Sequence, residues 1–104
     1  IREVLKNPRL TEELVVRIAS RRPARPEPLI EIWKSARWNN RPAIRKALVL
    51  NPYLPPDTGV KIVPLLGPHD LREVGQDSKL HLSVRELAQR LSAAGQKGAD
   101  DFAL

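Results

Sequence analysis

The sequence of 104 residues contains no cysteine and no methionine, and only two histidines and four aromatic residues (two Trp, one Tyr and one Phe). Without cysteine the chain cannot form a disulfide framework, a thiolate nucleophile, an iron–sulfur cluster on cysteine ligands or a cysteine-containing zinc site. No apolar run approaches the ~20 residues that a membrane-spanning helix needs, and the N-terminus lacks the organisation of a signal peptide. We therefore expect a cytoplasmic protein without a membrane partner.

Residue patterns that carry catalysis are also missing. His69 and His81 have no Cys or carboxylate around them at a metal-binding spacing, so we assign both to structural roles such as helix capping. The pair Glu12-Glu13 lies at a predicted helix start, where it favours the helix and not acid–base chemistry. No serine has a nucleophile-elbow pattern, and no Gly-rich phosphate loop is present. We expect no enzymatic activity, no cofactor and no metal.

The length fits a single domain with a modest core. Because the sequence begins at Ile1 and has no Met, we expect it to be a fragment of a longer protein. Its net charge of +6 is unevenly distributed. Residues 1–50 hold twelve Lys and Arg against five Asp and Glu, a net +7, whereas residues 51–104 hold six against seven, a net −1. An asymmetric basic field suits nucleic acid or an acidic protein, and it also occurs on solvated surfaces with no partner.

An internal repeat organises the chain. Residues 1–7 (IREVLKN) recur as residues 71–77 (LREVGQD), and residues 44–51 (IRKALVLN) form a looser copy. Proline follows Asn7 and Asn51, and since proline disfavours helix in the residue before it and cannot donate within a helix, each step predicts a helix end and a tight turn. Apolar residues spaced for an amphipathic helix follow the turns. This pattern predicts stacked helix-turn-helix units.

The complete prediction is an all-α fold, a short irregular α-solenoid of about seven helices, with a helical-repeat domain over 1–92 and a disordered tail over 93–104. A connector rich in proline precedes a predicted helix over 28–38, and the next helix covers 43–50. Gly59 and Pro64 interrupt the helix after Asn51, which we expect to be short and kinked. Its mostly buried positions are predicted to be Val60, Ile62, Val63, Leu65 and Leu66.

The turns also resemble a known family. Residues 48–55 (LVLNPYLP), with residues 5–11 (LKNPRLT) close behind, are similar to α-solenoid repeats of the HEAT-like superfamily, most closely to the leucine-rich-repeat-variant type. The resemblance covers about residues 1–20 and 43–92, and it implies a curved stack of helices whose exposed surface binds a macromolecule. The stack is irregular, because Asn51 lies 44 residues after Asn7 but only 26 before Asp77. The cysteines that hold a cluster in one protein of this type are absent, so no cofactor is implied.

The candidate binding residues are basic and aromatic and lie in the first half of the chain. They are Arg21, Arg22, Arg25, Lys34, Arg37, Trp38, Arg41 and Arg45. Arginine grips phosphates or carboxylates in bidentate fashion, and an exposed Trp38 would stack on a base or anchor a protein interface. In the alternative interpretation, Trp33 is a core residue, Trp38 covers a helix junction, and the charges are solvated.

The leading hypothesis is a non-catalytic protein-interaction scaffold of HEAT-like type, with an unknown protein partner. The alternative is a nucleic-acid-binding domain that uses the basic N-terminal half. Both hypotheses follow from the repeat, which provides exposed surface for binding but no set of catalytic residues. Oligomeric state is left open, because an uncapped solenoid end exposes apolar surface.

Overall fold

The computed structural model describes the backbone of residues 2–103 and the side chains of residues 3–95. It confirms the all-α prediction, because this part of the chain forms seven α-helices and no strand. The helices are α1 (Arg2–Leu5), α2 (Glu12–Ala19), α3 (Pro26–Lys34), α4 (Pro42–Val49), α5 (Pro56–Ile62), α6 (Pro68–Gln76) and α7 (Leu82–Ala103). A 3₁₀ turn, Val63–Leu65, directly continues α5.

Proline begins four of the seven helices. The first residues of α3, α4, α5 and α6 are Pro26, Pro42, Pro56 and Pro68. The first N–H of a helix has no partner within the helix, and proline's fixed φ suits this position, so the residue is favourable there. Helix α2 begins differently, because Thr11 Oγ1 accepts a hydrogen bond from the N–H of Leu14 at 3.3 Å and so caps the helix.

The three repeat turns share one hydrogen-bond pattern. In each turn a side-chain Oδ1 accepts the backbone N–H two residues later: Asn7 from Arg9 at 2.9 Å, Asn51 from Tyr53 at 2.9 Å and Asp77 from Lys79 at 3.0 Å. The carbonyl of the same residue accepts the N–H of a leucine three residues later, and the next helix begins five residues later. These are Asx turns, which the short Asn or Asp side chain stabilises locally. The sequence repeat therefore corresponds to a repeated local structure.

The helices pack in chain order around one hydrophobic core. Helices α1 and α2 contact α3, and α2 and α3 contact α4. Further along, α4 contacts α5, and α5, α6 and the 3₁₀ turn contact α7. The core extends from Leu5 to Ala88 and includes side chains of all seven helices. A helix of four to nine residues is unstable alone in water, so contacts of this kind supply most of the stability.

Asn51 is the one polar residue among the buried side chains of the described part, with 1% of its surface exposed. Its Nδ2 donates to the carbonyl of Ala19 at 2.9 Å and to that of Arg21 at 3.0 Å, while Oδ1 accepts from Tyr53. A buried amide with both ends satisfied is stabilising, and removal would leave two carbonyls without this donor. Asn51 thus joins the end of α2 to the turn between α4 and α5.

Two glycines allow close packing of the last helix. A Cβ on Gly59 would lie 3.0 Å from Val84 Cγ2, and a Cβ on Gly75 would lie 3.0 Å from Gln89 Cγ. Gln89 Nε2 also donates to the carbonyl of Gly75 at 2.7 Å. The prediction that Gly59 interrupts its helix is wrong, because α5 continues through Gly59. The helix ends at Ile62, and the 3₁₀ turn that contains Pro64 begins at the next residue.

Several predicted boundaries and burials differ from the structure. The helix predicted over 28–38 spans Pro26–Lys34, because Ser35 adopts an extended backbone (φ −79°, ψ 115°) that ends it. Leu65 was predicted to be buried but is 48% exposed, since the tighter 3₁₀ turn changes the direction of its side chain. The backbone of α7 extends to Ala103, while the side chains after Gly95 lie outside the described residues, and the disorder of residues 93–104 stays a prediction.

The three equivalent turn residues give a matched test of these assignments. We expect Asn51→Ala to lower the free energy of unfolding by about 3 kcal/mol, because buried carbonyls lose their donor. Asn7→Ala and Asp77→Ala remove only a local, exposed Asx bond, and we expect losses of at most about 1 kcal/mol. Urea unfolding followed by circular dichroism measures all three. Equal losses at the three positions would contradict the bridging role of Asn51.

Candidate functional site

The predicted basic and aromatic residues fall into two main groups in the structure. One group lies around the turns after α3 and includes Arg37, Trp38, Arg41 and Arg45. The other lies in and beside the connector between α2 and α3. Lys34 belongs to neither group, because it lines a separate depression of about 380 Å³ beside Leu5 and Ser35.

Trp38 is a core residue. Only 1% of its surface is exposed, and its indole Nε1 donates to the carbonyl of Leu5 at 3.1 Å. The prediction that Trp38 stacks on a base or anchors a partner is therefore wrong. The extended backbone at Ser35 ends α3 early and places Trp38 in a turn that faces α1, so the ring fills the junction between helices.

Arg37 binds the turn after α1. Its Nη1 donates to the carbonyl of Asn7 at 2.9 Å, and its Nη2 donates to that of Leu10 at 3.2 Å. The guanidinium carbon lies 4.4 Å from the centroid of the Trp38 ring. The planar, always charged guanidinium is suited to this combination of forked donation and stacking. Arg37 therefore joins two repeat units and does not present a free charge.

Arg41 and Arg45 complete this cluster. The Arg41 guanidinium carbon lies 4.7 Å from the Trp38 ring centroid, and its Nε donates to the carbonyl of Arg37 at 3.4 Å. Arg45 Nε donates to the carbonyl of Asn39 at 2.8 Å. The three arginines converge around a buried ring and backbone carbonyls. Their convergence stabilises the turns after α3.

The connector contains one arginine bound to the fold and two that are free. Arg22 Nη2 donates to the carbonyl of Leu50, at the end of α4, at 2.6 Å. Basic residues commonly satisfy the last carbonyls of a helix, where the helix dipole favours positive charge. Arg21 and Arg25 are exposed, and among the described residues their side chains have no hydrogen-bond or ion-pair partner. With Lys34, which is also exposed, they are the predicted basic residues to which the described part of the chain assigns no partner.

Arg21 and Arg25 flank an apolar groove of about 360 Å³, hereafter the N-terminal groove. Its apolar lining comes from α1, α2, the connector and α3. The lining residues besides the two arginines are Val4, Ile18, Pro23, Ala24, Pro28 and Leu29. Concave apolar surface with a few charged groups at its rim is the usual form of a recognition site.

Two repeat positions that line the groove are more exposed than their equivalents in the later units. Val4, three residues before Asn7, is 47% exposed, whereas its equivalents Leu48 and Val74 are fully buried. Likewise Ile18, eleven residues after Asn7, is only half-buried, whereas Ile62 at the equivalent position is fully buried. In the inner units another helix covers these positions. The N-terminal groove is therefore the uncovered packing face of a repeat.

A second charged cluster lies between α4 and α6. Lys46 Nζ lies 2.9 Å from Glu73 Oε2 and 3.6 Å from Asp70 Oδ1. His69, Asp70 and Glu73 place potential metal-ligand atoms within 4.8 Å of one another, and the ammonium of Lys46 lies beside both carboxylates. The hydrogen bond with Glu73 raises the pKa of Lys46 above its ordinary value, and the charges of Glu73 and Asp70 act in the same direction.

Comparison with protein-family models, with curated proteins and with solved structures gave no match to this chain. Within the described part of the chain, none of the helices has the length and apolar character needed to cross a membrane.

Sequence reasoning identified Arg21 and Arg25 but not the groove beside them. The signal was present in the repeat itself. Aligning Val4 with Leu48 and Val74 marks it as a core position of the repeat, yet its side chain is 47% exposed. What the sequence could not show was the course of the connector, which closes the other side of the groove.

The different contributions of the bound and the free arginines to the stability of the fold can be measured. We expect Arg22→Ala and Arg37→Ala to lower the free energy of unfolding by about 1 kcal/mol each, because helix-end carbonyls lose a charged donor. Arg21→Ala and Arg25→Ala serve as matched controls, and we expect changes within about 0.5 kcal/mol. Chemical denaturation of the four variants tests this. A loss at Arg21 or Arg25 equal to that at Arg37 would refute the assignment.

The Lys46 cluster predicts a specific pH dependence. Because the folded-state pKa of Lys46 is raised, its stabilisation is fully present below pH 10.5 and is lost as the pH rises through the folded-state pKa. We expect Lys46→Gln to be less stable than the wild type at neutral pH, with the difference narrowing above pH 10.5. Urea midpoints across this range test it, with Lys61→Gln as an exposed control. If the difference in stability between Lys46→Gln and the wild type did not change with pH, the ion pair would not be the source of that difference.

Proposed function

We propose that this chain is a non-catalytic protein-interaction module of the HEAT-like helical-repeat type, and that it binds an acidic, partly apolar protein segment in the N-terminal groove. The observation that carries the proposal is the uncovered repeat face at Val4 and Ile18, flanked by the free charges of Arg21 and Arg25. A cytoplasmic setting stays a prediction.

The repeated turns support the HEAT-like part of the proposal. Asn7, Asn51 and Asp77 make the same Asx turn, each followed by a leucine and a new helix. Repeats of this kind bury their apolar faces against neighbours and use the remaining surface for binding. The irregular spacing arises because α3 and its turn are inserted between the first two Asx turns. The leucine-rich-repeat-variant type remains the closest resemblance.

Charge and shape together favour an acidic protein segment. The apolar lining of the groove provides the burial that a Leu, Ile or Phe side chain needs, at roughly 25 cal/mol per Å² of apolar surface removed from water. Arg21 and Arg25 can then form bidentate pairs with carboxylates beside that apolar side chain. Arginine next to an apolar pocket is typical of interface hot spots.

The structure weakens the nucleic-acid alternative. Trp38, the proposed stacking residue, is buried, and Arg22, Arg37 and Arg45 already donate to backbone carbonyls. Nucleic-acid affinity grows with the number of phosphates neutralised, and these bonds reduce the number of arginines available for phosphate contacts. The basic excess of the first half is thus partly used within the fold. A protein ligand suits the remaining surface better.

A random peptide library displayed on phage and selected on the immobilised chain tests the proposal. We expect the enriched peptides to place Asp or Glu beside Leu, Ile or Phe, and to lose binding to the double variant Arg21→Glu/Arg25→Glu. The matched control Lys79→Glu/Arg90→Glu makes the same charge change at exposed positions outside the groove and should keep binding. Circular dichroism confirms that both variants fold.

Two results would contradict the proposal. In one, no peptide family is enriched, or the enriched peptides bind Arg21→Glu/Arg25→Glu as well as the wild type. In the other, labelled single- or double-stranded oligonucleotides bind at micromolar concentration, with an affinity that falls steeply with salt and depends on Arg21 and Arg25. The second result would establish the nucleic-acid alternative instead.

A further inference from the structure

We infer that the N-terminal groove binds residues 100–104 of a second copy of this chain, so that copies associate head to tail. This inference rests on the proposed function, since it assigns an occupant to the same groove. The segment has the sequence Asp100-Asp101-Phe102-Ala103-Leu104. It combines two adjacent carboxylates with two large apolar side chains. The carboxylates complement the two arginines of the groove, and the apolar side chains complement its apolar lining.

The charges of the two partners are complementary. Arg21 and Arg25 flank the groove without a carboxylate partner among the described residues. The sequence contains one other pair of adjacent acidic residues, Glu12-Glu13. This pair lies at the start of α2 within a folded unit, where Glu13 pairs with Arg17 at 3.5 Å. The Asp100-Asp101 pair is therefore the acidic pair that a groove on another molecule can use.

The apolar part of the segment also fits the groove. Phe102 is the single phenylalanine of the chain, and it directly follows the acidic pair. The groove offers Val4, Ile18 and Leu29 as apolar lining between the two arginines. Burial of one Phe side chain contributes more to the free energy of binding than an exposed ion pair does.

The chain order makes the association heterologous. The groove belongs to the first unit, around α1 and α2, whereas the segment lies at the C-terminal end of α7, the helix that packs on α5 and α6. A first-unit surface that binds a last-unit segment leaves a free groove and a free segment on each pair of copies. Since five residues bury far less than a standard interface of about 1,600 Å², we expect a dissociation constant on the order of 100 µM.

Sedimentation velocity of the whole chain over a concentration series tests the inference. We expect the wild type to form oligomers as concentration rises through roughly 100 µM. Arg21→Glu/Arg25→Glu and Asp100→Arg/Asp101→Arg should each remain monomeric, because each places like charges at the contact. Mixing the two variants should restore association, since each groove then meets a segment of opposite charge. Lys79→Glu/Arg90→Glu should associate as the wild type does.

Several outcomes would overturn the inference: a wild type that stays monomeric at every concentration, variants that associate like the wild type, or a mixture that does not regain association. A segment that docks in its own groove would give the first of these results. The outcome is separable from that of the proposed function. Acidic peptides that bind the groove of a monomeric wild type would preserve the protein-binding function and remove only the second copy as its ligand.

Discussion

The C-terminal end of every α-helix leaves carbonyl groups without partners within the helix, and six of the seven described helices have nine residues or fewer. This chain therefore has many helix-end and turn carbonyls for its size. Side chains from neighbouring units donate to several of these carbonyls, and each such bond also fixes how two units meet. The donors and their carbonyls are Asn51 with Ala19 and Arg21, Arg37 with Asn7 and Leu10, Arg22 with Leu50, Trp38 with Leu5 and Gln89 with Gly75.

This constraint changes the meaning of the basic composition. A net charge of +7 in the first half suggests an anionic ligand when it is read from composition alone. In the structure, arginine is also the donor that reaches from one unit to the carbonyls of the next, as Arg22 and Arg37 do. Part of the charge therefore serves the fold. Among the charges without a partner in the described part of the chain, Arg21 and Arg25 lie beside the N-terminal groove.

The sequence predicted local structure more accurately than tertiary structure. Proline after Asn7 and Asn51 located the turns, and apolar spacing gave the number of helices, because both signals act within a few residues. Trp38 was misassigned because its burial depends on the carbonyl of Leu5, 33 residues away, and on the early end of α3 at Ser35. The groove depends on the connector in the same way. No local pattern encodes these long-range contacts.

The Asx turns have an evolutionary consequence. Each turn contains bonds between residues two and three positions apart, and these local bonds do not require a particular following unit. Asn51 and Asp77 are 26 residues apart and stand at equivalent positions, and tandem duplication of residues 52–77 would place Pro52 after Asp77 with the local turn bonds intact. A gene for such a chain can lengthen by whole units through ordinary recombination. Chains of this architecture can therefore differ from one another in the number of repeats.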